Sequence, residues 1–209
     1  MTDLSPNQNT ESLHYFLRSR RSIRRYKPDP VPTSIINRIL ETAIYAPSAH
    51  NLQPWRFANL ASMDARALFA AAVTDRFRRD MLSEGSEEFE TKLRIERTRR
   101  RILDAPVIIV ICRDSGCIKP HRNYLLAHVE EKMGIQSVAL AGLQLLLAAH
   151  AEGLGGTWIC WPFFAPEETR LSLGLPDFWE PEGMFFLGYS AETPETPART
   201  PLHEVMKTL

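Results

Sequence analysis

Residues Asn123 to Glu152 read as one long helix whose second half is apolar on nearly every face. A helix without a polar face cannot rest on the outside of a small soluble protein. It must be a central helix or one side of a subunit interface. Its most apolar stretch, Ile135 to Ala149, is interrupted by Gln136, Ser137 and Gln144 and falls short of a membrane span. The rest of the chain therefore has to wrap this helix. With 209 residues it is long enough for one large core and too short for two.

The strands that would cover it are marked by composition. Pro106 precedes Val107-Ile108-Ile109-Val110-Ile111-Cys112, a β-branched run suited to a strand buried on both faces. Trp55 to Leu60, Thr157 to Trp161 and Met184 to Tyr189 read as further strands. Helices are expected over Glu11–Ser19, from Pro32 or Thr33 to Pro47, over Asp64–Leu82 and Glu87–Leu103, and over Pro166–Leu173. Helices first, then strands mixed with helices, make an α+β class. The tail from Ser190 carries Pro194, Pro197 and Pro201 and reads as an extended arm.

Charge and cysteine usage narrow the function. Twenty-five basic residues balance twenty-five acidic ones, so the basic excess of a general nucleic-acid binder is missing. Three cysteines form no disulfide framework or zinc pattern and fit a reducing cytoplasm. Met1 to Thr10 is polar and shows no secretory h-region. Cys160, in an apolar strand, reads as packing.

Three segments could carry chemistry. Arg20-Arg21-Ser22-Ile23-Arg24-Arg25 offers guanidinium forks and a hydroxyl, the donors a phosphate needs; a solvated basic turn would look the same. The loop Pro47 to Gln53 has amides and small polar side chains that could line a flat heteroaromatic ring, or could simply connect two elements. Gly153-Leu154-Gly155-Gly156 fails the dinucleotide fingerprint, because Trp158 takes the last position and the glycines follow a helix. It reads as a helix cap, as a close backbone approach to a ligand, or as both. The second basic run, Arg94 to Arg101, reads as a solvated helix face.

Taken in order, Arg20 to Tyr26, Ala46-Pro47-Ser48-Ala49-His50-Asn51-Leu52-Gln53-Pro54-Trp55, Gly153 to Ile159 and Leu187-Gly188-Tyr189 with the proline-rich tail resemble the nitroreductase family from about Ser12 to Val205. The resemblance implies a single domain over 1–209, with 190–209 as its arm, and a central mixed sheet in an intertwined homodimer with FMN at the interface. Arg20, Arg21, Ser22, Ile23 and Arg24 would lie along the FMN phosphate and ribityl chain, with Arg199 reaching the phosphate. Pro47, Ser48, Ala49 and Asn51 would face the ring from the other subunit. Gly155, Gly156 and Ile159 would lay backbone near it. No obligatory acid or base is implied, because the chemistry belongs to the flavin.

Asp75 to Asp80, Ile102 to Val107 and Leu175 to Gly183 are similar to the flavin domain that follows the coenzyme F-420 gamma-glutamyl ligase in a bifunctional protein. That likeness implies an electron-poor conjugated substrate such as dehydro-coenzyme F-420, with Asp80, Arg78 and Arg79 at the substrate. The alternatives are an NAD(P)H-dependent nitro or quinone reductase, flavin breakdown to the cobalamin lower ligand, and a non-catalytic flavin or deazaflavin carrier. In each case coenzyme F-420 or NAD(P)H would be a co-substrate, with no nucleic acid, metal or membrane as partner.

Overall fold

The computed structural model describes residues 10–209; the polar N-terminal stretch 1–9, most of the segment read above for a leader, lies outside them. The order is α1 (Thr10–Ser19), α2 (Thr33–Ala43), β1 (Trp55–Asn59), α3 (Met63–Ser83), α4 (Glu88–Asp104), β2 (Val107–Asp114), α5 (Tyr124–Ala151), β3 (Gly155–Ile159), α6 (Trp161–Phe164), α7 (Pro166–Leu173), β4 (Trp179–Gly188) and α8 (Leu202–Val205).

The β-branched run becomes the interior strand of the sheet, which is ordered β1-β2-β4-β3. Every residue of β2 is buried. Because side chains alternate along a strand, its two faces feed two cores. Val107, Ile109 and Ile111 meet Ile36 and Ile39 of α2 and Val138, Ala141 and Leu145 of α5. Ile108, Val110 and Cys112 meet Phe69 and Val73 of α3 and Ile102 of α4. The molecule is thus a sheet between two helical layers, an α+β nitroreductase-like fold.

The named strands pair antiparallel throughout. The parallel component of the mixed sheet expected from sequence is a single bridge, Ser22 to Gly156. Two strands shift most. β3 starts at Gly155 and ends at Ile159, so Cys160 is an exposed residue at the head of α6 instead of a packed one. β4 starts five residues earlier than the apolar signal, at Trp179, because Glu180 and Glu182 face a buried arginine and read as polar.

Helix α5 resolves its ambiguity by face. Gly134, Ser137, Val138, Ala141, Leu145, Ala148 and Ala149 form the stripe against the sheet. Leu140 and Leu143 on another face remain 43% and 49% exposed. Among the described residues α5 alone is long and apolar enough to cross a membrane, and that buried stripe belongs to the core of the domain. α1 buries no residue at all in the protomer, although Leu13, Tyr15 and Leu17 are apolar.

A corner of the second core is tied by one side chain. Arg66 is 9% exposed and donates to Leu60 O, Ala105 O and Pro106 O, at 2.9, 2.6 and 3.0 Å. These carbonyls belong to the turns flanking β1 and β2. Burial holds the guanidinium below its ordinary pKa.

Candidate functional site

Where α1 ends, the chain turns and runs along the free edge of β3. Ile23 N–H donates to Gly156 O at 3.1 Å. The two glycines make this approach possible. A Cβ on Gly155 would sit 2.6 Å from Ile23, and one on Gly156 would sit 2.7 Å from Leu187 and 2.9 Å from Leu146. The close backbone approach inferred from sequence is therefore made first of all by the chain's own Ile23, which fixes the arginine segment against the sheet.

That contact walls a cavity of about 570 Å³. Ser19, Arg20, Arg21 and Glu192 are among its polar lining residues, Ile23, Leu146 and Leu154 among its apolar ones, with Gly155 and Gly156 between strand and segment. A smaller cavity of about 220 Å³ continues it, lined by Arg20, Arg21, Ser22, Arg24, Glu195 and Arg199. The sequence-predicted phosphate group thus assembles within one protomer, with the tail supplying Arg199.

Its electrostatics are those of a positive cluster in excess over the two acids, Glu192 and Glu195, that also line the cavities. Among the described residues no carboxylate pairs with Arg20, Arg21 or Arg199. Burial, then Arg21 and Arg199, hold Arg20 below the usual guanidinium pKa. Arg21 donates to Arg18 O and Arg20 O and to Thr196 Oγ1 of the tail. One oxygen of Glu192 accepts from the backbone N–H of Arg24 and Arg25. Like charges held together with spare donors suit a bound oxyanion.

His150, at the last turn of α5, is a site residue that sequence reading missed. Its ring stacks on Phe16 with centroids 4.9 Å apart. Its Nε2 lies 2.8 Å from Ser19 Oγ. Ser19 Oγ also lies 2.9 Å from Phe16 O, so the hydroxyl bridges the end of α1 and His150. Burial first, then Arg20 and Arg21, lower the His150 pKa. A histidine late in an apolar helix gave no sequence signal; only folding brings it beside the arginines.

The second predicted segment lies elsewhere. Ala49 N–H donates to Ser137 Oγ at 3.2 Å, near the middle of α5. From Ser137 to His150 the helix axis runs about 20 Å, at ~1.5 Å per residue. Pro47, Ser48, Ala49 and Asn51 are therefore remote from the arginine cavity of their own protomer. Their loop is strained: His50, Asn51 and Gln53 have φ of 51°, 54° and 49°. Left-handed backbone at three non-glycine residues persists only where surroundings enforce it. Here Ser48 Oγ accepts from Gln53 N–H at 3.0 Å, and Arg56 donates to Gln53 O. Ile159, at the far end of β3, is buried with the second core and does not line the arginine cavity.

The predicted substrate residues are also apart from it, on α3. Asp80 pairs with Arg76 at 2.8 Å, and Arg79 pairs with Glu168 of α7 at 3.0 Å. Arg78 lines a separate surface cavity beside α4. Asp80 and Arg79 thus join an ion network where α3 meets α7, and the three do not converge on one pocket.

Comparison with known proteins follows this geometry. The family model described as Nitroreductase family matches residues 17–189. The NADH dehydrogenase of Thermus thermophilus is 32% identical over 212 residues, covering 90% of this chain and 91% of that protein. A nitroreductase-like family protein from Bacillus cereus superposes with a TM-score of 0.76 at 21% identity, over 97% of this chain and 98% of that one. A nitroreductase-type protein from Desulfovibrio desulfuricans, solved in complex with FMN, superposes at 0.72 with 25% identity, over 97% and 98%.

Proposed function

The chain belongs to the nitroreductase family, and from that premise we propose that it is an FMN-dependent oxidoreductase, working as a cytoplasmic homodimer and reducing electron-poor conjugated small molecules. The observation that carries the reading is an arginine-rich cluster, four guanidiniums against Glu192 and Glu195, lining a 570 Å³ cavity and its smaller continuation. The donor set fits a phosphate and the apolar wall fits a flat ring. FMN, when bound, supplies two-electron exchange with donor and acceptor.

The chain's residues bind and orient. Arg20, Arg21, Ser22, Arg24 and Arg199 hold the phosphate and ribityl end, Ile23 fixes their segment, and Gly155 and Gly156 present backbone to the cofactor. Pro47, Ser48, Ala49 and Asn51 complete the site from the partner. Their distance from the arginines of the same protomer and the strain in their loop support that division. The exposed apolar faces of α1 and α5 support the dimer, and the arm from Ser190 first brings Thr196 and Arg199 to its own subunit's arginines and then runs on over the second subunit. Ile159 and β3 stiffen the wall behind the ring.

The name of the Thermus relative favours a nicotinamide donor, so a nitro or quinone reductase using NAD(P)H is the leading form of the activity. Reduction of dehydro-coenzyme F-420 rests on the sequence likeness around Asp75–Asp80 and Leu175–Gly183, with Arg78, Arg79 and Asp80 as its candidate contacts.

The visible spectrum of the purified protein, before and after adding FMN, tests the reading. A bound-flavin spectrum that bleaches with NADH or NADPH and recovers with a nitroaromatic or quinone supports it. Recovery with dehydro-coenzyme F-420 instead selects the deazaflavin substrate. Protein that stays colourless after FMN addition overturns it.

A further inference from the structure

On the opposite side of the β3 edge, a cavity of about 210 Å³ opens between the N-terminal segment and α4. Arg24, Arg97, Arg100 and Arg101 line it, with Tyr26 and a single carboxylate, Asp104. Four guanidiniums against one carboxylate leave a strong positive excess in a small concave space. The cavity shares Arg24 with the flavin-phosphate cluster but draws its other arginines from α4. The basic run that reads as a solvated face from sequence is therefore only partly solvated.

Arg101 shows why this is more than a charged surface. Its guanidinium lies over the Trp161 ring at 5.2 Å and the Phe186 ring at 5.8 Å. Stacking on two aromatic faces fixes the plane of the fork while leaving its N–H edge free. Among the described residues no ion pair is formed by the side chains of Arg24, Arg97 or Arg101; Arg100 reaches Glu96 at 3.5 Å. Burial and the neighbouring Arg24 both work against the charge on Arg101. Tyr26 does not relieve this. Its hydroxyl lies within bonding distance of Ile23 O and Phe186 O, and burial keeps it protonated. Arg24 is held in place through its own backbone N–H, which Glu192 accepts at 2.6 Å.

A guanidinium that is half-buried, stacked and without a counter-ion is stabilised when an anion binds. We infer that Arg24, Arg97, Arg100 and Arg101 form a second anion site, for a doubly charged phosphate group that is either free or carried on a small nucleotide. The volume admits a phosphate with at most the sugar attached to it, so any base would lie outside. Carboxylates fit less well, because several forks converging on one space suit an oxyanion with three free oxygens.

Isothermal titration with inorganic phosphate and with adenosine 2′-phosphate tests this, on protein incubated with FMN and then freed of unbound FMN by gel filtration. Retained FMN occupies the Arg20–Arg21 end under the function proposed above; if none is retained, that function fails while the comparison of variants below still tests this site. The comparison is between the wild type and Arg97→Gln/Arg100→Gln, two exposed positions whose change leaves the Arg101 stack intact. We expect saturable binding to the wild type, weakened at least tenfold in the double variant and reduced by added salt. Arg101→Gln should weaken it similarly, with circular dichroism confirming the fold. Equal affinity for the two probes identifies a free anion site, and tighter nucleotide binding identifies a carried phosphate. A wild type that binds neither probe, or a double variant that binds both as the wild type does, overturns the inference.

Discussion

Arg113 and Arg20 are both withdrawn from solvent at the sheet, and their surroundings differ in one respect. Arg113, at the end of β2, is 4% exposed and faces three carboxylates. Its Nε donates to Glu182 at 2.9 Å, and its terminal nitrogens reach Glu180 and Glu131. Burial still pushes the Glu182 carboxyl above its ordinary range, against the pull of Arg113. Arg20, beside the edge of β3, is half-buried, crowded by Arg21 and Arg199, and in no ion pair, although Glu192 and Glu195 line the same cavities. A buried charge must be compensated by something. At Arg113 the fold supplies the compensation in ion pairs; at Arg20 and Arg101 it forms none, and the proposed ligands would supply it. Partner inventory, more than burial, separates an arginine that serves the structure from one that serves binding.

Removing each arginine should break this contrast in opposite ways. Arg113→Met strands Glu182 in the interior. It should cost about 3–5 kcal/mol of stability, the range for breaking a buried pair from one side, measured by urea denaturation. A loss under about 1 kcal/mol would mean that the cluster is solvated and the contrast false. Arg20→Gln should leave the denaturation midpoint unchanged or slightly raised, since it relieves like-charge crowding. It should weaken FMN binding about tenfold to a hundredfold, as expected for roughly 1.5–3 kcal/mol per charged hydrogen bond, measured by fluorescence quenching. A destabilised variant with unaltered FMN affinity would reverse the assignment.

The smallest effect is at His150. Burial and the two arginines lower its pKa, so neutral His150 contributes stability present above the ordinary histidine value. That stability is lost as pH falls through the lower folded value. His150→Gln should flatten this acid-side slope. Phosphate charge at Arg20 and Arg21 should raise the His150 pKa, seen in its ring-proton shifts. A pKa indifferent to FMN would place the phosphate elsewhere.

Much of this was legible in the chain because it depends on local pattern. The run Val107 to Cys112 announced an interior strand, since six apolar residues in a row leave no solvent face. Pro32 and the apolar spacing of Ile36, Ile39 and Ala43 announced α2. The arginines of Arg20–Arg24 stood out as candidate phosphate donors because they crowd into five residues, and Arg199 because a family likeness marked it. His150 and Arg113 did not, since a lone histidine or arginine in an apolar segment carries no sign of what it will face. The run Arg94–Arg101 is largely the solvated face it reads as, with Arg94, Arg97, Arg99 and Arg100 exposed; only Arg101 turns onto Trp161 and Phe186, which helical periodicity cannot tell.

The sequence by itself determined the elements, their order and the segments rich in donors, because backbone preference and hydrophobic period act over a few residues. The tertiary structure alone decided which charges would lack partners. It set Ile23 into the space left by Gly155, brought Arg199 and His150 to the Arg20 segment, and sent Glu182 to Arg113. Charge compensation is a property of neighbours distant in sequence, and neighbours exist only once the chain has folded.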